Sequence, residues 1–121
     1  MNSELFSRTE RIAEMIKRKL THIIQHEIKD PRLTGWITLS DVTVTKDLKH
    51  ARAYFTVLNG DPEQVALGLN GAGSYVRRSL AKKLDLRVVP EIKFVYDDSV
   101  AYGSRLSRLI DNANGDDKES D

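Results

Sequence analysis

Apolar residues recur at helical spacing near the start of the chain. Ile12, Ile16, Leu20, Ile23/Ile24 and Ile28 fall at intervals of three and four, while Arg8, Arg11, Lys17, Arg18 and Lys19 lie largely elsewhere. That periodicity predicts a long amphipathic helix over 7–28. Ser7 followed three residues later by Glu10 has the capping-box pattern, with Leu5 and Phe6 placed to pack back as a staple. Asp30-Pro31 stops the helix, because the residue before proline is pushed out of the helical region.

The period then changes to two. Residues 36–45 (WITLSDVTVT) alternate and are rich in β-branched types, but Ile37 and Leu39 share one parity and Val42 and Val44 the other. One extra residue near Ser40-Asp41 restores a common buried face, which predicts a β-bulge there. Residues 51–58 form a second strand with Ala51, Ala53, Phe55 and Val57 inward, and the short connection 46–49 makes the pair an antiparallel hairpin. Asp61 caps a further helix with Pro62 in its first turn. It runs from 62 to 70, meets a kink at 71–74 and resumes over 74–84 with Val76, Leu80 and Leu84 inward. Residues 87–96 predict a third strand, with Ile92, Phe94 and Tyr96 on one side and Pro90 near its start. A short helix is expected over 99–110. The order helix, strand, strand, helix, kinked helix, strand gives an α+β domain, a three-stranded sheet with helices on one face.

Composition narrows the function. The chain of 121 residues suits one domain, 1–110, followed by a tail at 111–121. The tail, DNANGDDKESD, holds five acids and one base, so of 19 basic and 18 acidic residues the first 110 keep 18 and 13, a body charge of +5. An acidic tail with almost nothing to bury is expected to be disordered. The absence of cysteine excludes disulfides and thiolate zinc sites and fits a reducing cytoplasm. No apolar run approaches membrane-spanning length, so the expectation is a soluble cytoplasmic protein without a membrane partner.

Catalytic patterns are weak. His22 and His26 stand at the i, i+4 spacing of shared metal ligands, but a third ligand is missing nearby and the HExxH pattern is absent. Asp97-Asp98 form a carboxylate pair, yet strand-end aspartates followed by Ser99 more commonly terminate pairing and cap the next segment. Gly68, Gly71 and Gly73 do not spell a dinucleotide or P-loop motif. Neither an enzyme, nor a metal, nor a small-molecule cofactor is expected.

The basic residues point elsewhere. Arg78 and Lys82 lie one helical turn apart, flanked by Arg77 and Lys83, and the kink feeds the N-terminus of that helix. Glycines allow close approach, free amides and the helix dipole attract phosphate, and the cations neutralise it. Arg8, Arg11 and Arg18, with Lys29 and Arg32 after the first helix, extend the positive surface. Trp36 and Tyr75 are candidates for base stacking, set against ordinary packing.

Three segments carry a family resemblance: Ile28-Lys29-Asp30-Pro31-Arg32-Leu33, Tyr75-Val76-Arg77, and Leu86-Arg87-Val88-Val89-Pro90-Glu91-Ile92-Lys93-Phe94 before Tyr96-Asp97-Asp98-Ser99. Over residues 5–110 the chain resembles the ribosome-binding factor A family, and its element order resembles a type II KH domain, an RNA-binding fold. The resemblance implies a monomeric, non-catalytic factor that binds the free or immature 30S small ribosomal subunit, assists 16S rRNA processing and serves cold adaptation. It places the phosphate-contacting kink at Ala72-Gly73-Ser74, where alanine matches the family's Ala-x-Gly and Ser74 replaces the final glycine, Gly73 supplying flexibility one position early. Gly68-Leu69-Asn70-Gly71 spells the KH signature GxxG but falls about one turn too early, and is read as a decoy. The RNA-binding set is then Arg8, Arg11, Lys29, Arg32, Ala72, Gly73, Ser74, Arg77, Arg78, Lys82 and Lys83. Three other readings stay open: a general single-stranded RNA module, a protein-interaction module using the first helix, and a hydrolase around Asp97-Asp98.

Overall fold

Ser7 opens the first helix as its pattern requires. Its side chain accepts from the Glu10 amide at 3.2 Å, and the Glu10 carboxylate accepts from the Ser7 amide at 2.8 Å. The computed structural model describes residues 7–99; the staple at Leu5 and Phe6, the helix over 99–110 and the acidic tail lie outside them. The elements are α1 (Arg8–His26), β1 (Trp36–Val44), β2 (His50–Leu58), α2 (Pro62–Gly71), α3 (Gly73–Lys83) and β3 (Glu91–Tyr96).

The sheet runs β1-β2-β3, with β1 antiparallel and β3 parallel to β2. Parallel pairing of β2 and β3 needs a crossover, and α2 and α3 supply it. One sheet face is covered: Leu39 faces Phe55, Val42 faces Ala53, and Ala53 faces Phe94 across the strands, all buried. Ile16, Leu20 and Ile23 from α1, Val65 and Leu69 from α2, and Val76 and Leu80 from α3 complete that core at zero exposure. The register shifts between Leu39 and Asp41, leaving Ser40 unpaired. This is the bulge that the change of phase predicted, and it returns Val42 to the core side. The Ser40 hydroxyl donates to the Asp97 carboxylate at 2.6 Å, stitching β1 to the end of β3.

Two boundaries and one side chain differ from expectation. The first helix ends at His26 because Glu27, its C-cap, turns its carboxylate onto α3, several residues before Pro31 acts. The third strand begins at Glu91, not at residue 87, because β2 begins at His50 and offers nothing to pair with upstream; the ladder starts at His50↔Glu91. Tyr96, expected inward, is exposed at the rim, its ring 5.8 Å from that of Phe55.

Candidate nucleic-acid interface

The kink is narrower than its sequence suggested. Only Ala72 leaves helical geometry, at φ −92° and ψ 14°, serving as C-cap of α2 and N-cap of α3. Its amide donates to the Gly68 and Leu69 carbonyls at 3.2 and 3.1 Å, and its carbonyl accepts from Val76 at 2.9 Å. Gly73 is already the first residue of α3 and its φ is not positive, so it supplies no special backbone freedom. Its distinction is spatial. A Cβ built on Gly73 meets nothing within 4 Å, so the chain there is open to a large partner. The amides of Gly73, Ser74 and Tyr75 form the first turn of α3, where a helix has no carbonyl of its own to bond, and no side chain caps them. They and the helix dipole present a partial positive charge outward.

The literal GxxG has the opposite surroundings. A Cβ on Gly68 would lie 3.0 Å from Leu33 Cδ2 and 3.3 Å from Arg32 Cβ, and one on Gly71 would lie 3.2 Å from Arg32 Nη2. These glycines let the loop after α1 pack on the end of α2. The contact brings Arg32 to the kink, where Asp30 orients it through bonds of 3.1 and 2.8 Å to Nε and Nη2. The guanidinium holds the Asp30 carboxyl down at about 2.

The cations of α3 divide. Arg77, Arg78 and Lys82 are exposed. Arg77 donates from Nε to the Val89 carbonyl at 3.2 Å, and Arg78 lies 6.0 Å from the centre of the Tyr75 ring. Lys83 instead pairs with Glu27 at 3.0 Å and is 30% exposed. Glu27 also accepts from the Tyr75 and Ser79 hydroxyls, both at 2.8 Å. Those bonds, Ser79 first, hold its carboxyl at about 2 and push the Tyr75 phenol up. Tyr75, considered for stacking, thus has its hydroxyl engaged on α1.

Arg8 and Arg11 are not brought to the kink. They border a separate hollow of about 550 Å³ with Met15, Arg18 and Leu86, and the helical rise puts Arg11 about 24 Å from Glu27 along α1. Lys29 is exposed in the loop beside Asp30. Trp36 is 74% exposed at the far end of the hairpin, opposite Leu58. Among the described residues no three His, Cys, Asp or Glu side chains gather as a metal site. Asp97 accepts from Ser40 and from the Ser99 amide, which lowers its pKa.

Two cations emerge that sequence reasoning passed over. A groove of about 980 Å³ runs from Gly71, Gly73, Ser74 and Arg77 over β3 to Arg52, Tyr54 and Lys93. Arg52 and Lys93 are cross-strand partners on the open sheet face. Their outward parity was legible; their pairing was not, since nothing in the sequence aligns a parallel strand forty residues away.

The profile of the family described as Ribosome-binding factor A matches residues 8–110. A Ribosome-binding factor A of Legionella pneumophila (strain Paris) is 58% identical over 119 residues, 98% of this chain and 97% of the relative. The crystal structure of ribosome-binding factor A from Thermus thermophilus superposes with a TM-score of 0.67 at 25% identity, covering 73% of this chain and 93% of that one. A homology model of the Thermus thermophilus factor, fitted into a cryo-EM map of its complex with 30S, superposes with a TM-score of 0.61 at 26% identity, covering 71% and 91%. With this profile match, near-full-length identity and shared α+β architecture, the chain belongs to the ribosome-binding factor A family.

Proposed function

We propose that the chain is a non-catalytic assembly factor that binds the free or immature 30S subunit and assists maturation of its 16S rRNA. The observation that carries this reading is the open first turn of α3 beside Arg77, Arg78 and Lys82. Uncapped amides and exposed cations suit a sugar-phosphate backbone and read no base edge, so they recognise a folded rRNA surface more than a sequence. The 30S complex of the Thermus thermophilus relative supports the subunit as partner. The factor acts as a monomer in the cytoplasm, makes and breaks no bond and needs no small molecule. Arg52 and Lys93 join the contact through the groove, Arg8 and Arg11 form a separate positive region at the start of α1, and Lys29 belongs to the loop that carries Arg32 to the kink. No described helix is long and apolar enough to cross a membrane.

Sedimentation of a lysate through a gradient tests the proposal. The chain travels with free small subunits at low salt and leaves them as salt rises. Recovery only at the top of the gradient at every salt concentration refutes it, and tight binding to short oligonucleotides in preference to subunits favours a general single-stranded RNA module.

A further inference from the structure

Apart from the backbone bonds of Ala72, the kink has no side chain of its own to set its angle. Ala72 carries a methyl, Gly73 carries nothing, and no side chain caps the turn. Its two arms are held from outside. On the α2 side, Asn70 Nδ2 donates to the Phe94 carbonyl at 3.0 Å and Asn70 Oδ1 accepts from the Phe94 amide at 2.9 Å. One side chain so satisfies both backbone groups of a residue on the outer edge of β3. On the α3 side, Glu27 gathers Tyr75, Ser79 and Lys83, three residues on successive turns of one helix flank.

We infer that Asn70 and Glu27 are positioning residues for the RNA contact, tying one arm of the kink to the sheet and the other to α1. The open amides of α3 and its exposed cations then meet a phosphate backbone already in place. This deepens the proposed function and rests on it. Without the ties the helices stay packed through Val65, Leu69, Val76 and Leu80, but the turn between them loosens and has to be ordered on binding, which weakens association. Glu27 makes the inference sharp. It is an acid beside a basic helix, so by charge alone its removal would strengthen attraction to a polyanion. Positioning requires the opposite sign.

Full-length Asn70→Ala, Glu27→Ala and Glu27→Gln are titrated onto purified 30S subunits at a temperature where circular dichroism shows every variant folded. Asn70→Ala and Glu27→Ala are expected to weaken binding about tenfold, a difference of about 1.4 kcal/mol. Glu27→Gln, which keeps an acceptor for the Tyr75 and Ser79 hydroxyls, recovers most of that loss. NMR order parameters at 72–75 fall from about 0.85 to below about 0.6 in the two alanine variants. Unchanged or tighter binding by Glu27→Ala overturns the inference, as does weakened binding with unchanged order parameters. Wild-type binding with unaffected variants sinks the positioning role alone; a wild-type chain that binds no subunits sinks the proposed function and this inference together.

Discussion

Replacing Arg77, Arg78 and Lys82 together by glutamine removes three exposed cations of α3 while leaving Lys83, the one paired with Glu27. Each cation that neutralises a phosphate contributes about 0.7 to 0.9 to the slope of log affinity against log salt, the lower figure for single strands. Three of them contribute about 2.1 to 2.7. Because the counterion term vanishes near 1 M salt, the variant at 0.1 M loses roughly 130-fold to 500-fold in affinity for 30S subunits. Lys83 supplies the internal control. Its ammonium is already paired at 3.0 Å, so Lys83→Gln is expected to leave the slope within experimental error of wild type. The assay is subunit binding across a salt series. Two results would refute the reasoning: a triple variant whose slope matches wild type, or a Lys83→Gln slope that falls as far as that of Lys82→Gln.

Gly68→Ala and Gly73→Ala separate the two glycine roles. The first pushes a methyl against Leu33 and Arg32, and overpacking outweighs the gain in helix propensity for a net loss of about 1 kcal/mol in urea unfolding. The second meets open space, so it leaves stability unchanged or slightly higher, while subunit binding weakens. Glu27 and Asp30 both have folded pKa values lowered to about 2 from 4.5 and 3.8. Their contribution is fully present above the unfolded values and is lost as pH falls from about 4.5 towards 2, so Glu27→Gln flattens the acid limb of a stability profile; an unchanged limb contradicts it. Deletion of Ser40 leaves Leu39 and Val42 two positions apart, the spacing at which they share a face with no bulge. The shortened chain is expected to keep a dispersed NMR spectrum and to lose about 1 kcal/mol with the bond to Asp97; a collapsed spectrum contradicts that account of the register.

The elements were legible where one signal sufficed. The bulge followed from a phase change inside β1, and the capping box from two residues three apart. Asp61 accepts from the Glu63 amide at 3.0 Å, as its place before Pro62 implied. What escaped depends on residues far apart in sequence. Glu27 ends α1 because Tyr75, Ser79 and Lys83 lie across from it, and no local pattern around residue 27 announces that. The packing of Gly68 and Gly71 as a seat for Asp30–Leu33 is a tertiary contact that the GxxG spelling conceals. The kink was found because glycines interrupt a helical run, but the break falls on the alanine, and Gly73 matters for the room beside it.

The bond ring between Asn70 and Phe94 has a consequence for the order of folding. The β1–β2 hairpin closes through a connection of a few residues, whereas β2 and β3 are parallel and joined through two helices, a pairing that forms more slowly because a longer loop must close first. A chain emerging from synthesis as far as Lys83 carries every cation of α3, yet has no third strand for Asn70 to grip. Its basic helix exists before its geometry does. Completion of β3 is therefore the step that closes the tie: the α2 arm of the kink is gripped only once Phe94 has been added and its backbone meets Asn70.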